Sequence, residues 1–185
     1  MTRKNPNFSF KEFKGTLVLK SSMNKLIQIL ENIDQYPIWL KDCMRLELVY
    51  DHKKNLKDFY SVFDPKKTFV SSRDVFFRCK YEYIKNKKNK EVLDYKIKTT
   101  FLTEKEARKQ LKGKKFPVKV CSDCERMGGL KSLWHLKKIG SNKIKVIYQT
   151  GSDPGGWIPI GLANKFAVEQ PFHTLMNLKK IAEKK

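Results

Sequence analysis

The sequence predicts an α+β domain, in which a curved antiparallel sheet of about seven or eight strands is covered by one long C-terminal helix. Apolar residues alternate with polar ones through much of residues 44–150, which is the period of a half-buried strand. Helical spacing of apolar residues precedes this region at 23–30 and follows it at 157–184. The 185 residues contain no repeat and no internal linker, so we expect a single domain over 1–185.

The N-terminal part predicts one strand and two short helices. Residues 8–20 combine aromatic and β-branched side chains with lysine, which indicates an opening strand, and residues 1–14 are a candidate flexible extension. Ser22 is placed to cap a helix over 23–30. Pro37 suits the first turn of a second short helix, because proline has no amide to satisfy there.

Seven further strands follow from the alternation, and lysine dominates the outward positions. Clusters of turn residues at 86–90 and 140–142 mark hairpins. The strands are predicted at 46–51, 57–63, 73–84, 91–101, 118–126, 131–138 and 143–150.

The last helix follows the breaker sequence Asp-Pro-Gly-Gly at 153–156. Pro171 lies inside it and should kink it, because the ring removes one backbone hydrogen bond. A single helix covers the middle of a curved sheet poorly. The sequence therefore allows an internal cavity, and the alternative is that the same side chains fill a solid core.

The formal net charge is +21, from 40 lysines and arginines against 19 acidic residues. Such a surface attracts phosphates of nucleic acids or lipid headgroups. Lysine far outnumbers arginine, and a lysine-rich surface that is only solvated is the alternative. The basic segment 177–185 either offsets the helix dipole or contacts an anionic membrane. No apolar run has the length of a membrane span and no signal peptide is visible, so we expect a cytoplasmic protein.

Catalytic and metal-binding patterns are poorly supported, and we expect no cofactor and no enzyme activity. Of the three histidines, His52 lies in a charged turn and should be solvated, His135 should point outward, and His173 lies on the last helix. Cys121 and Cys124 form a lone C-x-x-C, without the second pair of ligands that a zinc site needs. In a strand over 118–126 these two thiols would lie on opposite faces.

A family resemblance comes from several short motifs in a fixed order. The segment DPGGWIPIGLAN at 153–164 is followed by Pro171, Thr174, Leu175 and Leu178. This series closely resembles the C-terminal signature of START lipid-transfer domains, in their short microbial form. The YPIW segment at 36–39 and the Arg73-Asp74 pair are similar to two earlier motifs of that family.

The resemblance implies a helix-grip fold, as in the birch-pollen-allergen-like superfamily, that encloses one hydrophobic ligand such as a lipid. It further implies a lid formed by the C-terminal helix and the 103–117 loop, with Pro171 as a hinge. The expected partners are a lipid or other hydrophobic small molecule and an anionic membrane surface. We expect a monomer, no specific nucleic acid, and a role in intracellular lipid transfer or sensing. A helix-grip protein that binds RNA or the ribosome through its basic surface is the alternative.

The predicted cavity lining combines inward strand positions with the apolar stripe of the last helix. Sterol-carrying members of the family place an arginine inside the cavity, where this chain has Cys79, so the resemblance does not favour a sterol. The predicted lining residues are Val75, Phe77, Cys79, Tyr81, Tyr95, Ile97, Phe101, Val120, Cys124, Trp134, Tyr148, Leu162, Phe166, Phe172 and Leu175.

Overall fold

The computed structural model describes residues 2–5, 8–53, 55–66 and 70–184. The strands are β1 (Thr2–Asn5), β2 (Phe8–Lys20), β3 (Cys43–Asp51), β4 (Leu56–Phe63), β5 (Arg73–Lys85), β6 (Val92–Leu102), β7 (Glu125–Arg126), β8 (Gly129–Gly140) and β9 (Lys143–Asp153). The helices are α1 (Met23–Glu31), α2 (Tyr36–Trp39), α3 (Glu104–Lys109) and α4 (Ile160–Ala182), with a 3₁₀ turn at Ile33–Gln35.

Eight strands of the described chain form one antiparallel sheet in the order β1-β2-β9-β8-β6-β5-β4-β3. The short β7 pairs in parallel with the start of β5. Consecutive strands are hairpin neighbours from β3 to β6, whereas β2 returns to pair with β9, near the other end of the chain. The predicted helix-grip architecture is confirmed, with α4 packed on the concave face against β2.

The two short helices form where the sequence places them. The Ser22 hydroxyl accepts a hydrogen bond from the Lys25 amide at 3.2 Å, which caps α1. Leu26 and Leu30 of α1 are buried in the core. Pro37 lies in the first turn of α2, as predicted.

The main core lies between the concave face and the helices. It takes the inward rows that the alternation predicts, including Val75, Phe77, Tyr95 and Val146. Gly15 of β2 allows α4 to approach closely, because a Cβ there would lie 2.3 Å from Leu175 Cδ1.

A second core on the convex face corrects the expectation of a sheet that is polar outside. Tyr60 and Phe76 point outward and are fully buried. They pack under Ala107 of α3 and under Val118 in the segment that follows. Thr103 caps α3 with a capping box, which fixes this cover on the sheet.

The predicted strand over 118–126 is wrong, since only Glu125–Arg126 is a strand. Cys121 and Cys124 are joined by a disulfide, so the expectation of two thiols on opposite faces is wrong as well. The Cys121 amide donates to the Tyr60 hydroxyl at 2.7 Å. This irregular segment is therefore held to the convex face by polar contacts as well as apolar ones.

Two buried carboxylates on the convex face are paired with arginines. Asp74 accepts from Arg126 at 2.6 and 3.0 Å. Asp58 accepts from Arg78 at 2.7 and 2.9 Å, and its other neighbour, His52, lies 2.8 Å away. The expected solvated position of His52 is therefore wrong, because its ring belongs to this ion-pair cluster.

Candidate functional site

An internal cavity of about 200 Å³ lies between the concave face and α4. β4, β5, β6, β8 and β9 form one wall, and α2 and α4 contribute to the other. Four residues from the connections that follow β4 and β9 also line the cavity, namely Pro65, Val70, Pro154 and Ile158. Apolar side chains form most of the wall, which suits an apolar ligand.

Seven of the predicted lining residues lie on this wall. The strands place six of them there because their side chains point to the concave face, and α4 places the seventh. They are Phe77, Cys79, Tyr81, Ile97, Trp134, Tyr148 and Phe166. Their contact with a ligand remains a prediction.

Aromatic rings stiffen the wall. Trp134 stacks on Tyr148 with ring centroids 3.9 Å apart and an angle of 10° between the planes. Trp39 meets the edge of Trp134 at 5.9 Å. Burial raises the pKa of Tyr148 to about 12, which keeps its hydroxyl neutral. Rings fixed by stacking present a preformed apolar surface.

Other predicted residues lie in packed regions beside the cavity. Val75 and Leu175 belong to the solid part of the main core. Tyr95 is buried there too, and its hydroxyl donates to a carboxylate oxygen of Glu31. Phe101 packs against the same core. These side chains fill space instead of lining the cavity.

The predictions on α4 fail for two residues. Phe172 is 51% exposed, since its side chain lies on the solvent face of the helix. Leu162 is half-buried and does not line the cavity. The positions of α4 that reach the wall are Ala163, Phe166, Ala167, Gln170, Pro171 and Thr174.

Val120 and Cys124 are wrongly predicted as lining residues. Both pack against the second core, on the opposite face of the sheet. The 103–117 loop carries α3 and covers the same convex face, and none of its residues lines the cavity. The prediction that this loop forms a lid is therefore wrong. The error at Val120 and Cys124 followed from a strand period assigned to an irregular segment, whereas the lid was implied by the family resemblance.

Several polar wall residues were missed by the sequence analysis. Thr99, Ser132 and Thr150 stand side by side across β6, β8 and β9, where strand pairing aligns them. Arg73 at the start of β5 also lines the cavity. The alternation that selects Phe77 selects Arg73 as well, so the strand period contains the signal that could have found it.

None of the three histidines, all of them within the described residues, lines the cavity. No group of three or more His, Cys, Asp or Glu side chains within them could hold a metal ion. His135 bonds Asp94 at 2.8 Å and His52 bonds Asp58, in both cases away from the cavity wall. Within the same part of the chain, no helix is long and apolar enough to cross a membrane.

No protein-family model matches the chain. An uncharacterised protein of Pseudomonas aeruginosa is 24% identical over 176 residues, which cover 95% of this chain and 77% of that protein.

Several solved structures resemble the fold of this chain. A STAR-related lipid transfer protein fragment from Xanthomonas axonopodis matches with a TM-score of 0.76 and 22% identity, over 99% of this chain and 92% of that one. Human StAR-related lipid transfer protein 5 matches with a TM-score of 0.79 and 11% identity, over 98% and 79%. A Streptomyces aromatase/cyclase matches with a TM-score of 0.57 and 10% identity, over 93% of both chains.

The chain thus has the helix-grip fold of the solved START-related lipid transfer proteins. The same superfamily fold also carries an aromatase/cyclase. The fold alone does not determine the activity, which depends on the site.

Proposed function

We propose that this protein binds one hydrophobic or amphipathic small molecule in the cavity between the sheet and α4, and serves in lipid transfer or sensing in the cytoplasm without catalysis. The observation that carries the proposal is an apolar, aromatic-walled cavity at the centre of a START fold. Burying an apolar ligand there contributes roughly 25 cal/mol for each Å² of apolar surface removed from water. RNA or ribosome binding finds no support in these comparisons.

Ligand entry in this proposal depends on α4. Pro171 lies within the helix on the cavity wall, and the amide that would bond the Ala167 carbonyl is absent there. The helix therefore has a weakened turn next to the cavity. Movement about Pro171, together with the 153–159 segment, would open the cavity.

Native mass spectrometry of the freshly purified protein, followed by organic extraction, tests the proposal. We expect a single adduct of lipid size. Phe77→Asp should abolish binding, since the charge would enter the apolar wall. Ile84→Asp, on the same strand at an exposed position, should leave binding unchanged.

A second variant separates loss of binding from loss of folding. Ser132→Phe adds an apolar ring to the cavity wall without adding a charge. We expect a folded protein, by circular dichroism, that no longer takes up fluorescent lipids. Full uptake by this folded variant would contradict the cavity assignment.

We propose further that the protein docks on anionic membranes through the segment before α4. Trp157 is 84% exposed and Ile160 is 62% exposed, next to the cavity-lining Ile158. Exposed apolar side chains on a chain of net charge +21 suit the interface of an anionic bilayer.

Tryptophan fluorescence reports on this docking. Trp39 and Trp134 are buried, so a blue shift on adding vesicles would come from Trp157. We expect the shift with phosphatidylserine-containing vesicles, a weaker one at high salt, and none for Trp157→Ser. An equal shift with uncharged vesicles would refute the role of charge.

A further inference from the structure

Arg73 is a buried cation on the cavity wall. Arg73 is the first residue of β5, only 7% of its surface is exposed to solvent, and its side chain lines the cavity. The Nη1 group donates to the Ser71 carbonyl. The Nε group is buried and has no hydrogen-bond partner in the described chain. An unpartnered buried donor on a charged group is costly, and each such group calls for an explanation.

No carboxylate within the described residues lies within 4 Å of the Arg73 guanidinium, whereas Arg78 pairs with Asp58, and Arg126 pairs with both Asp74 and Glu104. The alternation of the strand explains the difference. Asp74, the next residue, points to the convex face and pairs with Arg126 there. Burial lowers the pKa of Arg73, with Glu125 opposing from an exposed position.

The rest of the described wall offers Arg73 no carboxylate. Among the described lining residues, Lys41 is the only other charged one, and it is paired with Asp42 at 2.6 Å. None of these described lining residues is acidic. The charge of Arg73 is therefore available to a ligand, and an oxygen anion fits its planar donors.

The size of the cavity restricts the remainder of the ligand. The lining residues of β5 extend from Arg73 to Tyr81, nine residues whose Cα atoms span about 26 Å of strand. The volume of about 200 Å³ is below the roughly 300–1,000 Å³ of cavities for drug-sized ligands. A cavity of this volume suits one alkyl chain better than two.

We infer that the ligand is a single-chain amphipath whose carboxylate or phosphate oxygens bind the Arg73 guanidinium while its apolar chain lies along β5 toward Tyr81. This inference rests on the proposed function, since it assumes that the cavity is the binding site. It adds the chemical class of the headgroup, the residue that selects it, and the direction of the ligand in the cavity.

The test compares oleate, dodecyl phosphate and oleyl alcohol as probes, by displacement of a fluorescent fatty acid. We expect the wild-type protein to bind the two anions about ten- to a hundredfold more tightly than the alcohol, the range of a charge-assisted bond. Arg73→Met should bind the anions and the alcohol alike. The control Arg108→Met, on exposed α3, should keep the wild-type preference.

The outcomes separate this inference from the proposed function. Wild-type protein that binds alcohol and acid equally would overturn the headgroup assignment and leave the cavity function intact. Binding of none of the three probes, nor of other lipids, would overturn the proposed function itself. Displacement of oleate by millimolar inorganic phosphate alone would show a free-anion site and refute the amphipath. The wild-type comparison needs no variant, so it stands even where Arg73→Met fails to fold.

Discussion

Gly15 of β2 gives a quantitative test of how α4 is held on the sheet. Its backbone does not have a positive φ, so glycine is needed there for space. In Gly15→Ala, the new Cβ would lie 2.3 Å from Leu175 Cδ1 and 2.8 Å from Phe13 Cζ. Overpacking of this kind costs about 1–3 kcal/mol. Replacing glycine within a strand returns about 0.5–1 kcal/mol, so we expect a net loss of about 1–2 kcal/mol.

Urea unfolding followed by circular dichroism measures this loss, and a double-mutant cycle tests its cause. Leu175→Ala alone should cost about 2–5 kcal/mol as a core truncation. The double variant should lose less than the sum, because removing the leucine methyls makes room for the new Cβ. Additivity within about 0.5 kcal/mol would refute the contact as the cause. Gly161→Ala, with open space around its Cβ, is the matched control and should not destabilise the protein.

Three further predictions concern buried charge, capping and thiols. Asp58→Ala should destabilise the fold by about 3–5 kcal/mol in thermal unfolding, because it leaves the partly buried Arg78 guanidinium without its carboxylate partner. Glu169→Ala, at an exposed pair, should change stability by about 0.5 kcal/mol or less. Thr103→Ala should cost about 1 kcal/mol and Thr103→Ser much less, since serine keeps the capping oxygen; equal losses in both would contradict the capping role. Burial raises the pKa of Cys43 to about 11 and of Cys79 to about 12, so both thiols should react slowly with Ellman's reagent at pH 8 and quickly after unfolding in guanidinium. Equal labelling rates in folded and unfolded protein would refute the burial of the two thiols. Because their pKa values are raised in the folded state, they contribute stability that is complete below about pH 9 and is lost as the pH rises toward those pKa values.

Alternation along the strands predicted the concave face well. Phe77, Ile97 and Tyr148 lie on the cavity wall because a strand gives every second side chain the same direction. The same rule directs Arg73 inward, although the sequence analysis did not count it among the lining residues. The order of elements was also predictable, since periods of two and of 3.6 residues differ clearly over long segments.

The convex face could not be predicted in the same way. Tyr60 and Phe76 stand at outward positions, and what buries them is the distant segment from Thr103 to Cys124. That segment has little regular structure, so no periodicity marks it as a cover. Val120 and Cys124 were assigned to the wrong face for this reason. Their partners depend on tertiary contacts, which a local pattern does not contain.

The side chains of α4 that line the cavity were predicted only in part from the sequence. Phe166 lies on the cavity wall, whereas Phe172 faces solvent. A broad apolar stripe on α4 contains both residues, and the stripe alone does not tell which side meets the sheet. The contact at Gly15 settles the orientation, because it brings Leu175 onto β2.

Because the sheet is buried on both faces, we expect its central strands to be less mobile than α4. Around Phe76 and Phe77, neighbouring side chains of β5 are clamped from opposite sides, one under α3 and one toward the cavity. We expect a strand packed on both faces to move little when a ligand enters. The movement that admits a ligand should therefore occur in the opposite wall, where α4 contains Pro171. Amide exchange should therefore be slowest in β5 and faster in the first half of α4, which would make the helix the moving part of this protein.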